Sequence, residues 1–279
     1  MLRWYVKKLA RGGLGLGGQA IATIGASARV RVLTYHRFGP SGRDPFCVDM
    51  EAFAAQMEWL ANRGAAISLA KLEGHLDGTL AIEDGSVLVT IDDGYRSLYT
   101  HAFPILRYFE IPAVAYLPAG LLPDGDVSSA GAEPRLSWSE IEDLAARGVT
   151  IGSHAWSHRS LGAMSPASAH DEIRRSRERL EARTGSPVTS FAYPFGTRAD
   201  YSVATRTALA ECGYRTAFTS QHGAIDRDAD ALELPRIKIE GGEPLWMFTG
   251  AVNGAMDSWR WVDRTLWWLQ ARHGQADAA

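Results

Sequence analysis

At 279 residues, 46% of them hydrophobic, the chain can build one large core or two small ones, and its net charge of −3 gives a nucleic-acid role no global electrostatic support. Two cysteines make no disulfide framework, so Cys47 and Cys212 read as ordinary small apolar residues. No run reaches the 18 or so apolar residues needed to span a bilayer.

The charge is unevenly spread. Residues 1–31 hold six Lys/Arg and no acid, leaving 23 basic against 32 acidic residues in the remainder. A basic arm on an acidic body points to an anionic surface, with membrane lipid the first choice. The N-terminus imitates a signal peptide: basic "MLRWYVKKLAR" precedes an uncharged stretch ending in Ala26-Ser27-Ala28. That stretch is Gly-rich and lacks a dense Leu/Ile/Val core. Residues 1–28 are therefore expected to remain as a partly amphipathic arm at a membrane surface.

From residue 29 onward, β-branched runs alternate with helical patterns. Strands are predicted at 29–35, 87–91, 113–117, 149–153, 188–193, 215–220 and 234–240. Helices are predicted at 50–64, at 137–148 with Ser137 and Glu140 at capping-box spacing, and at 165–185 with Ser165-Pro166 opening it and Gly185 closing it. Near-continuous apolar strands alternating with helices predict a parallel α/β architecture, and seven such units suit a distorted (β/α)7-type barrel. Chemistry in such barrels sits at the C-terminal strand ends. His36, Asp92, Asp93, His154 and the "YPFG" of 193–196 fall there.

The stretch "VLVTIDDGY" (87–95) ends a buried strand on two adjacent carboxylates, which is costly unless a cation neutralises them. "SHAWSH" places His154 and His158 four apart, a spacing that lets both imidazoles converge on one metal if the segment makes a helical turn. Alone, each signal is weak: the first also fits a turn capping a helix, and the second lacks the Glu of the zinc-protease motif. Together they make a two-His, one-Asp shell in which the second Asp is free to act as general base.

At these residues the chain resembles the polysaccharide deacetylases of the NodB-homology type (carbohydrate esterase family 4), over roughly residues 30–240. Thr90-Ile91-Asp92-Asp93-Gly94 matches the family signature and Ser153-His154-Ala155-Trp156-Ser157-His158 its metal motif. The resemblance implies Asp92 as general base and Asp93, His154 and His158 as ligands of one divalent metal, with Zn2+ the first choice and Co2+ or Ni2+ as substitutes. The third motif reads Ala192-Tyr193-Pro194-Phe195-Gly196, with Ala where the family has Arg. Phe195 can still offer its backbone N–H to an oxyanion, supported by Tyr193 and Pro194. The absent Arg leaves Asp92 without its usual partner, and Arg236 in "LPRIKI" is the expected substitute. His36 after the first strand resembles the circularly permuted biofilm subgroup, which implies that it is the general acid. Tyr95 and Trp138 lie near motifs as candidates for the substrate groove, with buried packing equally expected.

The resemblance implies a metal-dependent hydrolase of carbon–nitrogen bonds other than peptide bonds, removing N-acetyl groups from an N-acetylglucosamine-type glycan in exopolysaccharide or adhesin maturation. A deacylase of a lipid-linked sugar, or a glycan-binding protein with a vestigial site, are the alternatives. The domain is expected at 29–243, followed by a Trp-rich helical extension at 244–279. Read as a helix from about Met256, that tail is apolar on both sides, with Trp259 on one face and Trp261 on the other. It is expected to serve peripheral membrane attachment or a homodimer contact. The expected place is a bacterial-type cytoplasm or the cytoplasmic face of the inner membrane, with an exported form as the alternative.

Overall fold

A computed structural model describes residues 29–40, 44–124, 133–261 and 263. The N-terminal arm and most of the Trp-rich tail, Trp267 and Trp268 included, lie outside the described residues.

Seven strands form one parallel sheet: β1 (Arg31–Tyr35), β4 (Val87–Ile91), β5 (Ala113–Leu117), β6 (Thr150–Ser153), β7 (Ser190–Ala192), β8 (Thr216–Phe218) and β9 (Ile237–Lys238). Their order is β8-β7-β6-β5-β4-β1-β9, with β2 (Arg37–Phe38) and β3 (Cys47–Val48) pairing separately. The sheet curls until its edges meet through the chain after β8. Phe218 bridges Leu234, and three residues later Ile237 pairs with Leu33 of β1. The closure is thus made by one short segment, a distortion of the regular barrel.

β1, β4 and β5 are buried at every position, as expected where both faces of a parallel sheet are covered. Strand alternation sorts their side chains. Leu33, Tyr35, Val89, Ile91, Ala115 and Leu117 join the larger core cluster, packed with α1 (Met50–Asn62), α3 (Phe103–Tyr108), α4 (Trp138–Ala146) and α5 (Pro166–Thr184). Val32, Leu88, Val114, Tyr116 and Phe218 form the second cluster, with Leu69 and Leu72 of α2 (Leu69–Leu76). Counting on from Leu88 in steps of two reaches Thr90 and then Asp92, so the face that is apolar lower in the strand turns polar at its C-terminal end.

Caps act where the sequence predicts. Ser137 and Glu140 form a capping box on α4, and Ser165 caps α5, which ends on left-handed Gly185. Two further α-helices are α6 (Val203–Glu211) and α7 (Leu245–Val252). The start of the tail is tied to the sheet: both Asp257 carboxylate oxygens accept from Arg31, at 2.7 and 3.0 Å, and Asp263 accepts from the His222 backbone N–H at 2.8 Å. Trp259 is half-buried and Trp261 exposed, in keeping with opposite faces. No helix among the described residues is long and apolar enough to cross a membrane.

Candidate active site and metal centre

Asp92 and Asp93 diverge because the chain turns between them. Asp92 continues the β4 line, 2% exposed, whereas Asp93 takes a left-handed φ of 72° and swings its carboxylate toward the histidines. His158 (φ 56°), Ala155 (φ 61°) and Phe195 (φ 60°) share that conformation, so four of the five positive-φ non-glycine residues among those described line this one site. Each costs on the order of 1–3 kcal/mol and persists only where its surroundings over-determine it.

The helical turn that would suit the spacing of His154 and His158 is not present. Residues 154–158 form an irregular loop after β6, and the left-handed Ala155 and His158 bring the two rings together, with centroids 4.7 Å apart. Nδ1 of His154 lies 2.7 Å from the Ala192 carbonyl. A carbonyl only accepts, so Nδ1 carries a proton and Nε2 is the free ligand atom. Asp93 Oδ1 stands 3.4 Å from Nε2 of His154 and 3.1 Å from Nε2 of His158, yet it is buried without a hydrogen-bond partner among the described residues. All three atoms lie within 4.8 Å of one another. Tetrahedral zinc with bonds of about 2.0–2.1 Å separates neighbouring ligand atoms by about 3.3 Å. An orphaned carboxylate oxygen facing two imidazole nitrogens at that spacing fits a divalent metal.

Asp92 is buried beside this cluster, and its counter-ion is Arg236, itself 3% exposed. Nη1 donates to Oδ1 at 2.8 Å and Nη2 to Oδ2 at 2.7 Å, a bidentate pair. Nη1 also donates to Thr90 Oγ1 at 3.2 Å and Nε to the Thr219 carbonyl at 2.9 Å. Burial works to push the Asp92 carboxyl up, but the attraction of Arg236 and His154 outweighs it and holds the group below the usual carboxylate range.

His36 follows β1 on the same mouth. It is half-buried, its Nδ1 has no partner among the described residues, and its ring packs edge-on against Phe46 with centroids 5.0 Å apart. Burial lowers its pKa to about 4, against the upward pull of Asp93 and Asp92. The ring is therefore uncharged at neutral pH in the substrate-free site.

Phe195 stacks edge-on against His158 at 5.0 Å, and its N–H donates to nothing among the described residues. Pro194 is buried beside it. Tyr193, expected to support the oxyanion site, is a core residue instead: it is fully buried, donates to the Leu232 carbonyl at 2.8 Å and stacks on Tyr201. Trp138 likewise lines no open groove. It is 3% exposed at the start of α4, with the Arg183 and Arg179 guanidinium carbons 4.6 and 5.1 Å from its ring. Tyr95 does stand at the site, half-buried, with Arg135 and Arg37 at 5.0 and 5.4 Å from its ring, and Arg135 also donates to the Asp93 carbonyl. Sequence reasoning missed Arg37, Arg135 and Phe46, which belong to no motif.

The family model for polysaccharide deacetylase matches residues 81–217. A Bacillus subtilis (strain 168) protein bearing a polysaccharide deacetylase name, YxkH, is 27% identical over 217 residues, covering 77% of this chain and 73% of its own. The poly-β-1,6-N-acetyl-D-glucosamine N-deacetylase of Escherichia coli (strain K12) is 28% identical over 239 residues; the match covers 72% of this chain but only 35% of that protein. The structure of IcaB from Ammonifex degensii superposes with a TM-score of 0.69 at 26% identity, over 81% of this chain and 97% of that one. Motifs, curled parallel sheet and relatives agree on a polysaccharide deacetylase domain of the NodB-homology type, matched over residues 81–217, from a metal-dependent class of hydrolases.

Proposed function

We propose that this protein removes N-acetyl groups from a poly-N-acetylglucosamine-type exopolysaccharide, with Zn2+ as its metal. The observation that carries the reading is the pairing of a buried, Arg-locked Asp92 with the converging Asp93, His154 and His158. A vestigial glycan binder would have no use for a buried carboxylate kept ionised next to a metal-type donor set, whereas a hydrolase needs both.

A divalent metal held by Asp93 Oδ1, His154 Nε2 and His158 Nε2 supplies Lewis acidity toward the acetyl carbonyl and toward the attacking water. Asp92 takes a proton from that water, and Arg236 keeps the carboxylate ionised and aimed. The oxygen of the water bonds to the carbonyl carbon. The Phe195 N–H donates to the developing oxyanion, an interaction worth several kcal/mol in comparable sites. His36 protonates the sugar nitrogen as the C–N bond breaks, leaving acetate and an amine. With its pKa near 4 at rest, His36 takes from solvent the proton it donates, as negative charge builds on the tetrahedral adduct, and Asp92 returns its proton to solvent when acetate leaves.

The amine product is cationic at neutral pH, so the glycan acquires positive charge and adheres more strongly to anionic surfaces. Enzyme and membrane are brought together by the basic arm and the Trp-rich tail, at the cytoplasmic face of the inner membrane. The support for this is compositional: four basic residues without an acid in 1–28, and the exposed Trp246 and Trp261 near the C-terminus.

The test is acetate release from β-1,6-linked N-acetylglucosamine oligomers, run with metal analysis on wild type and Asp92→Asn. About one metal per chain, with turnover in wild type and loss of it in the variant, is the expected result. Metal without acetate release from any N-acetylglucosamine oligomer would redirect the reading to a lipid-linked sugar. Absence of both would sink it.

A further inference from the structure

The loop that carries the metal ligands has little regular structure of its own. Between His154 and His158 the chain makes no helical turn, and two of its non-glycine residues sit in the left-handed region. Something outside the loop must fix the positions of its rings. One side is held by the turn after β5: the Ala119 and Gly120 N–H groups donate to the Ala155 and Trp156 carbonyls at 3.1 and 2.8 Å. Gly120 is required for this approach, because a Cβ there would lie 2.5 Å from Nε1 of Trp156.

The other side is held by a single side chain of α5. Glu172 Oε2 accepts from the backbone N–H of Trp156 at 3.1 Å and of Ser157 at 2.8 Å, while Oε1 accepts from Ser157 Oγ at 2.8 Å. One carboxylate thus takes three hydrogen bonds from the two residues immediately before His158. Arg175 and Arg179, three and seven residues further along the same helix, lay their guanidinium carbons 4.0 and 5.2 Å from the Trp156 ring. Residues at i, i+3 and i+7 share one helix face, so this face of α5 is committed to the loop.

We propose that Glu172 is a positioning residue of the metal centre: it fixes His158 for ligation by tying down the backbone that precedes it, and does not itself touch metal or substrate. The inference rests on the metal-site reading above. Its logic is that of outer-shell partners in metalloproteins, whose loss typically weakens metal binding about 10–100-fold while the ligands remain.

The experiment titrates the full chain with Zn2+ against a chromophoric chelator and compares wild type with Glu172→Ala and Glu178→Ala. Glu178 lies on the same helix but pairs with Arg174 on an exposed face, at 2.6 and 2.8 Å. Affinity in E172A is expected to fall at least about tenfold, with E178A at the wild-type value. E172A within about twofold of wild type, or an equal loss in E178A, overturns the proposal. Should E172A fail to fold, Glu172→Gln replaces it. Gln has one acceptor oxygen for three donors, so a several-fold loss is expected and wild-type affinity overturns the proposal. Affinity is read without turnover, which separates the two readings. A wild type that binds no metal sinks the function reading and this inference with it, whereas a wild type and an E172A that bind equally sink this inference alone.

Discussion

Arg236 and Asp92, 144 residues apart in the chain, form a bidentate ion pair in which each partner is about 97% removed from solvent. Such a pair is strongly asymmetric: removing one member leaves an uncompensated buried charge, which costs about 3–5 kcal/mol. Arg236→Ala is therefore expected to lower the melting temperature sharply as well as activity. Arg236→Lys keeps the charge but offers no planar fork. It should stay folded and lose at least about tenfold in kcat, because proton abstraction by a positioned base is worth about 10²–10⁴-fold. Acetate release and thermal melting on the two variants check this, and a Lys variant with wild-type kcat would remove Arg236 from the mechanism.

That pair also shows where the sequence was legible. Asp92, Asp93, His154 and His158 could be read because two chemically odd clusters end two apolar strands, and β4 and β5 were found to the residue at 87–91 and 113–117. Arg236 was accessible only as a basic residue at a strand end, because pairing over 144 residues is a property of barrel closure that no local pattern encodes. The route by which His154 and His158 converge is hidden from the sequence for a related reason. A spacing of four suits a helix, but here tertiary hydrogen bonds to Glu172, Ala119 and Gly120 hold left-handed residues that local propensity disfavours. Tyr193 stands beside the site in sequence, whereas its side chain points into packing, and Trp138 takes the packed one of its two expected roles.

Metal removal should weaken the fold itself. The Asp93 oxygen, without a hydrogen-bond partner among the described residues, faces two imidazole nitrogens at 3.1 and 3.4 Å, an arrangement that a cation relieves. Zn2+ at 100 times its Kd is expected to stabilise the native state by about 2.7 kcal/mol, or about 5–10 °C in Tm, relative to chelator-treated protein. His158→Ala should lose most of that increment. Scanning calorimetry with and without chelator reads both, and a Tm indifferent to metal in wild type would contradict the donor-set assignment.

Phe195 offers its backbone N–H and its ring, and the two are separable. The ring packs on His158 at 5.0 Å, while the N–H, donating to nothing among the described residues, is available to an oxyanion. Phe195→Gly keeps the N–H and suits the φ of 60°. It is expected to retain kcat within about tenfold and to lose some packing against His158. Phe195→Pro removes the N–H, cannot adopt that φ, and should lose at least about 100-fold in kcat. If the Gly variant lost as much as the Pro variant, the ring rather than the N–H would be the functional group.

Glu73, away from the site, gives a prediction about pH and stability. It is 8% exposed, accepts from Thr189 Oγ1 at 3.2 Å and pairs with Arg215 at 3.1 Å. Burial raises its pKa despite the opposing pull of Arg215 and the hydrogen bonds of Thr189 and Thr216. A carboxyl raised in the folded state binds its proton more tightly there than in the unfolded chain. Its contribution to stability is thus fully present below the unfolded pKa and is lost as pH rises through the folded value. Glu73→Gln keeps a hydrogen-bonding group and removes the charge, while Arg215 retains Asp77 at 3.2 Å. The variant is therefore expected to melt about 2 °C higher than wild type at pH 7.5. The gap should close near pH 4, where wild-type Glu73 is protonated as well. Melting curves at the two pH values decide it, and a variant less stable than wild type at pH 7.5 would mean that the Arg215 pair outweighs the cost of burying the charge.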